Sequence, residues 1–214
     1  MKLKIIFISL TALIFIAGTG SGTQKKRPVE LQFFVNSHLS STTIIEYNMK
    51  GDVIKMSSYD TAKLTDYARY KYQSDGRLSI EKTFDASNIL IRTRKYFYDE
   101  SGLVTGEKVY SRSGGLIEYL VITWSDKRIQ KIDYFRPDDN LLQTIEFNYT
   151  GDVLNTMVFN KIGKYMMIMK SVYDKDMLLI GHDIKHSNAD IKIETKYIYE
   201  DGYATDQALQ LIFR

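Results

Sequence analysis

The sequence predicts an all-β protein: an antiparallel meander of about 12–14 short strands, built from two-strand repeats of about 26 residues and curled into an open sheet or half-barrel. Three observations predict it. The 214 residues include 16 tyrosines and 10 phenylalanines, residue types that favour strands. An aromatic anchor recurs at Tyr47, Tyr72, Tyr98, Trp124, Phe147, Tyr173 and Tyr199, at spacings of 25, 26, 26, 23, 26 and 26. Between turns, apolar residues alternate with polar ones, a period of two rather than 3.6.

The chain opens on an export signal. Lys2 and Lys4 precede an uncharged apolar run, Ile5 to Ala17, and small residues follow in Gly18-Thr-Gly-Ser-Gly22. The run is shorter than the roughly 20 residues of a membrane-spanning helix. Residues 1–20 are read as a signal peptide, with the mature chain starting between residues 19 and 23. Residues 21–40 form an N-terminal extension, in which Leu31-Gln-Phe-Phe-Val35 could supply one strand. Without the leader the net charge is +1, signs interleaved, and Lys25-Lys26-Arg27 is the one basic run, so no nucleic acid is expected as partner. The chain has no cysteine, which excludes disulfides and thiolate metal sites.

Residues 41–214 form the β-repeat domain. Four residues after the anchor stands Gly51, Gly76, Gly102 or Gly151, and three after the last stands Gly202. Six after it stands an aliphatic: Val53, Leu78, Val104, Val153 or Leu179. Glycine at this offset fits a hairpin turn with positive φ at Gly76, Gly102 and Gly151. Gly102→Val is therefore expected to cost more than Gly106→Val, since Gly106 lies within a strand pattern. A second turn follows at Asp85–Asn88, Ser111–Gly115, Arg136–Asn140 and Asn160–Gly163. Pro28 and Pro137 are placed outside strands. Alternation puts Leu116, Glu118, Leu120, Ile122 and Trp124 on one face, and Ile191, Ile193, Tyr197 and Tyr199 on another. It groups Leu78, Ile80, Lys82 and Phe84 against Ser79, Glu81 and Thr83.

Tyr70-Lys-Tyr-Gln-Ser-Asp-Gly76-Arg-Leu78 and Lys95-Tyr-Phe-Tyr98-Asp-Glu-Ser-Gly102-Leu resemble the core of bacterial YD repeats of the RHS type, and are similar to MORN-variant repeats. The resemblance covers residues 41–214 in periodicity. It implies a scaffold or shell, since in these families enzymatic parts lie outside the repeats. Arg128 departs from the pattern, standing where the motif has glycine.

No nucleophile, acid or base constellation appears, so no enzyme and no cofactor are expected. His182 and His186 would lie roughly 13 Å apart on a strand, too far for one metal ion, and read as exposed polar positions. The acids of Asp138-Asp139-Asn140 and Asp174-Lys-Asp176 read as turn residues. The candidate binding site is the aromatic ladder: Tyr72, Tyr98, Trp124, Tyr173 and Tyr199. It serves cross-strand packing, or stacks on a protein or glycan partner. The expected function is an exported, non-catalytic β-repeat scaffold or interaction module at the bacterial envelope, periplasmic, extracellular or peripherally attached to the outer membrane. The alternatives are an outer-membrane β-barrel, or a small-ligand or glycan binder using the aromatic strip. The sheet is expected to curl with its aromatic face inward and Trp124 largely buried.

Overall fold

The computed structural model describes residues 26–150, 153–161, 164–173, 179–186 and 192–201. The leader, Gly151, Gly202 and the acids of 174–176 lie outside the described residues.

Among the described residues fourteen antiparallel strands follow one another in chain order. They are β1 (Lys26–Val35), β2 (His38–Tyr47), β3 (Val53–Asp60), β4 (Lys63–Tyr72), β5 (Leu78–Asp85), β6 (Leu90–Tyr98) and β7 (Val104–Ser111). Then come β8 (Leu116–Ser125), β9 (Arg128–Phe135), β10 (Leu141–Thr150), β11 (Val153–Lys161), β12 (Lys164–Tyr173), β13 (Leu179–His186) and β14 (Lys192–Asp201).

Each strand pairs with its neighbour in sequence, and β1 pairs with β14. The result is a closed barrel, which corrects the expectation of an open sheet or half-barrel. The physical reason is the edge. An open meander leaves two rows of unpaired N–H and C=O groups, and joining β1 to β14 satisfies both. The extension thus supplies β1, which spans Lys26–Val35 and includes Leu31-Gln-Phe-Phe-Val35. An Arg27–Glu200 ion pair of 2.7 Å secures one end of this junction. At the other end Asn36 and Lys192 exchange two bonds, of 2.7 and 3.0 Å.

Curvature comes from bulges. The register shifts by one residue beside every anchor, at Glu46/Tyr47, Lys71/Tyr72, Phe97/Tyr98, Thr123/Trp124, Asn148/Tyr149 and Val172/Tyr173, and at Pro28/Glu30 in β1. A bulge bends its strand and increases twist, which is what closure needs. Pro28 is therefore inside a strand, not outside one. It is tolerated because β1 is bulged there, and its pairing with β2 begins only at Glu30.

The turns follow local chemistry. Gly51, Gly76 and Gly102 have φ near +85°, and each N–H bonds the carbonyl three residues back, as the turn signal required. Asp99 Oδ1 accepts the Leu103 N–H at 2.9 Å, and Asn48 and Asp85 do the same in their turns. At the opposite rim Asn88, Gly114 and Asp139 take the left-handed position. The β8–β9 hairpin turns on two residues, Asp126 and Lys127, both at positive φ, so Arg128 begins a strand and no glycine is needed.

Candidate functional site

Cross-strand pairs share a face, so the register assigns every strand residue to the inside or the outside. Inside, at one rim, each anchor pairs across its own hairpin with an aliphatic: Tyr47 with Val53, Tyr72 with Leu78, Tyr98 with Val104, Trp124 with Ile129. Tyr149 with Leu154, Tyr173 with Leu179 and Tyr199 with Pro28 complete the set. Each anchor also donates a hydrogen bond backwards. Tyr47 bonds the Pro28 carbonyl, Tyr72 that of Val53, Tyr98 that of Leu78 and Trp124 Nε1 that of Val104. Tyr149 bonds Ile129, Tyr173 bonds Leu154 and Tyr199 bonds Leu179. The seven bonds measure 2.6–3.0 Å and run round the barrel without a break. Val53, Leu78, Val104, Ile129, Leu154 and Leu179 beneath them are 0–2% exposed.

This girdle places the predicted ladder. Tyr72, Tyr98, Trp124, Tyr173 and Tyr199 all belong to it, half-buried, with their polar tips bonded to backbone. Trp124 packs against the core with its indole N–H bonded to the Val104 carbonyl, neither fully buried nor exposed. The fifth anchor is Tyr149, not Phe147. Phe147 lies two residues deeper in the core, on the same face as Tyr149. Burial pushes the Tyr149 hydroxyl up to about 12, against the pull of Arg128, and likewise raises Tyr47.

Deeper inside lies a cluster the sequence hid. Arg94 Nη1 contacts both carboxylate oxygens of Glu81 at 3.1 and 3.2 Å, and Arg94 Nε lies 3.0 Å from Glu107 Oε2. The Tyr96 hydroxyl donates to Glu81 Oε2 at 3.0 Å. Arg94, Glu81 and Glu107 are all buried. Burial opposes the Arg94 charge, but the carboxylates of Glu81 and Glu107 outweigh it and hold its pKa well above the ordinary value. On the far wall His182 is buried, 3% exposed, not an exposed polar residue as expected. It stands edge-on to Tyr197 at 5.8 Å, and burial pushes its pKa down to about 4. Among the described residues no group of three or more His, Asp or Glu is placed to hold a metal ion.

The outer wall differs. At mid-strand it presents Arg69, Lys82, Lys95, Lys108, Lys131, Glu146, Lys170 and Asp183. Ile54, Ile91, Phe97, Ile117, Val121, Ile180 and Ile198 are exposed among them. A cleft of about 350 Å³ opens over Gly181 between Val172, Ile180, Asp183, Glu194 and Lys196.

No protein-family model matches the chain, and no curated protein matches it. The YD-repeat resemblance thus stands on periodicity and turn motifs alone. Among solved structures, the chain is similar to a porin-like protein from Bacteroides uniformis, with 9% identity over 82% of this chain and 97% of that one, at a TM-score of 0.49. It also matches TcdB2-TccC3 without its hypervariable C-terminal region, at 17% identity over 68% of this chain and 9% of that one, TM-score 0.25. A protein of unknown function from Bacteroides fragilis matches at 14% identity over 66% of this chain and 94% of its own length, TM-score 0.25.

Proposed function

We propose that this protein is an exported closed β-barrel of the bacterial envelope that stays in the aqueous phase and acts without catalysis, by binding a partner on its outer wall. The observation that carries the reading is the polarity of the wall. The inside holds an apolar core running from Ile45 to Ile184, with the Arg94 cluster and His182 buried within it, which supports packing rather than a channel. The outside carries cations at mid-strand, and a lysine or arginine facing lipid at the bilayer midplane costs about 2–4 kcal/mol. Arg69, Lys82, Lys95, Lys108 and Lys170 together would cost on the order of 10 kcal/mol, comparable to the whole stability of a domain.

The outer-membrane alternative has one specific observation in its favour. A closed antiparallel meander with an even number of strands is the architecture of that class, and an open scaffold lacks it. Expression of the chain from Ser21 onward, without detergent, separates the two. The aqueous reading expects monodisperse folded protein on size exclusion. Recovery only in detergent, with a heat-modifiable gel shift, would establish the membrane barrel instead.

A further inference from the structure

The outer wall is not evenly charged. Across β3–β7 the register aligns Lys55, Arg69 and Lys82 in one row, and Lys71, Lys95 and Lys108 in a second, with Ile80 between the first two. Lys55 is paired with Glu46 at 2.7 Å. Among the described residues Arg69, Lys71, Lys82, Lys95 and Lys108 have no ion pair. The carboxylates at mid-strand in this sector, Glu81 and Glu107, point into the barrel and neutralise Arg94 instead. Like charges directly opposite on neighbouring strands, as at Arg69–Lys82 and Lys95–Lys108, repel, and the contacts these cations make within the fold are to rings, Arg69 over Tyr67 and Phe84 among them, which leave their charge uncompensated. The opposite wall is mixed: Lys170 faces Asp183, Lys131 bridges Asp133 at 2.7 Å, and Lys192 bridges Glu194 at 2.8 Å. The same sector exposes Ile54, Ile91 and Phe97, with Lys108 lying over the Phe97 ring at 5.5 Å and Lys95 over Tyr110 at 5.0 Å.

From this charge complementarity we infer that the outer face of β3–β7 docks on an anionic lipid surface, lysines and Arg69 meeting headgroup phosphates while Phe97 and Ile91 sit at the headgroup–acyl boundary. The inference rests on the aqueous reading above and names its partner. Two rows of cations over five strands cover a wall about 20 Å wide. That breadth suits a planar array of phosphates, whereas a single acidic polymer chain is followed by a groove or stripe. Cations near an anionic leaflet each add attraction that decays within a Debye length.

Detergent-free protein is mixed with phosphatidylcholine vesicles with or without phosphatidylglycerol, and sedimented. Binding is expected to the anionic vesicles only, with release at about 1 M salt, where the Debye length is near 3 Å. The variant Lys71→Glu/Lys95→Glu/Lys108→Glu should bind at least about tenfold more weakly. The control Lys170→Glu/Lys185→Glu/Lys192→Glu carries the same change in charge and should lose less than about twofold. Should the first variant not fold, the milder Lys95→Gln/Lys108→Gln replaces it, with a smaller loss expected. No sedimentation with anionic vesicles, equal losses in both triple variants, or binding to soluble polygalacturonate but not to vesicles would each overturn the inference. Protein that resists both salt and an alkaline carbonate wash is inserted rather than docked, and that result would instead remove the aqueous reading on which the inference rests.

Discussion

Tyr98 shows what one side chain contributes. Its hydroxyl bonds the Leu78 carbonyl at 2.7 Å, and its ring lies beside aliphatics that water does not reach. Tyr98→Phe keeps the ring and leaves that carbonyl without its donor, so a loss of about 1 kcal/mol is expected in urea unfolding. Arg94 carries more. Arg94→Leu strands two carboxylates in the core and should cost about 3–5 kcal/mol, whereas replacing Arg94, Glu81 and Glu107 together by apolar residues should cost far less. Equal losses for the single and triple variants would show that the ions themselves hold this region. His182 gives a pH dependence. Its pKa falls from 6.5 in the unfolded chain to about 4 in the barrel, so between those values the unfolded state binds the extra proton. Stability is complete above pH 6.5 and falls as the pH drops towards 4, by about 3 kcal/mol in all. His182→Phe should flatten that slope in equilibrium unfolding. Neither the Arg94 cluster nor the burial of His182 was legible in the sequence, because an acid in a strand reads as outward until its register is known.

At the scale of the element, repeat and hairpin were legible and side-chain direction only partly so. The windows at Leu120–Trp124 and Ile193–Tyr199 alternate as the sequence suggests, because the extra residues of the bulges beside them, Gln130 and Val29, lie on the partner strands. In β5 the bulge opposite Lys71/Tyr72 resets the alternation after Leu78. Leu78, Glu81 and Thr83 therefore point inward, and Ile80, Lys82 and Phe84 outward, reversing the expected grouping beyond Leu78. A bulge has no sequence mark beyond the turn beside it, which is why the inner carboxylates were missed. The two glycines also trade ranks. Gly102 has φ +86° and open space around it, so a side chain there is strained but fits. A Cβ on Gly106 would lie 2.6 Å from the Leu120 carbonyl oxygen, backbone that cannot step aside. Gly106→Val is thus expected to melt lower than Gly102→Val, the reverse of what its place in a strand pattern suggested. Gains are available at the opposite rim. Thr61 and Ala62 both adopt positive φ in the β3–β4 turn, and Asn-Gly in their place should raise stability by about 1 kcal/mol in thermal unfolding.

For the whole molecule, the missing piece was closure. Nothing local marks β1 and β14 as partners, since their pairing joins residues at opposite ends of the described chain. Strand count alone signalled that a flat sheet was untenable, but not which way the strain would resolve. The girdle shows the outcome in detail: Pro28 occupies the place that an aliphatic fills in every other unit, so the extension completes the last repeat rather than preceding the first.

That arrangement also dictates an order of folding. Every pairing but one is a hairpin or joins consecutive strands, and such contacts form early because little chain need be looped out. The remaining pairing, Lys26 with Asp201 through Val35 with Ile193, is the final stitch and carries the largest loop-closure entropy. Refolding should therefore show a slow step sensitive to Arg27→Ala and insensitive to Asp126→Ala. Joining residue 201 to residue 26 and reopening the chain between Asp126 and Lys127 should move that slow step to the β8–β9 boundary while leaving the barrel unchanged.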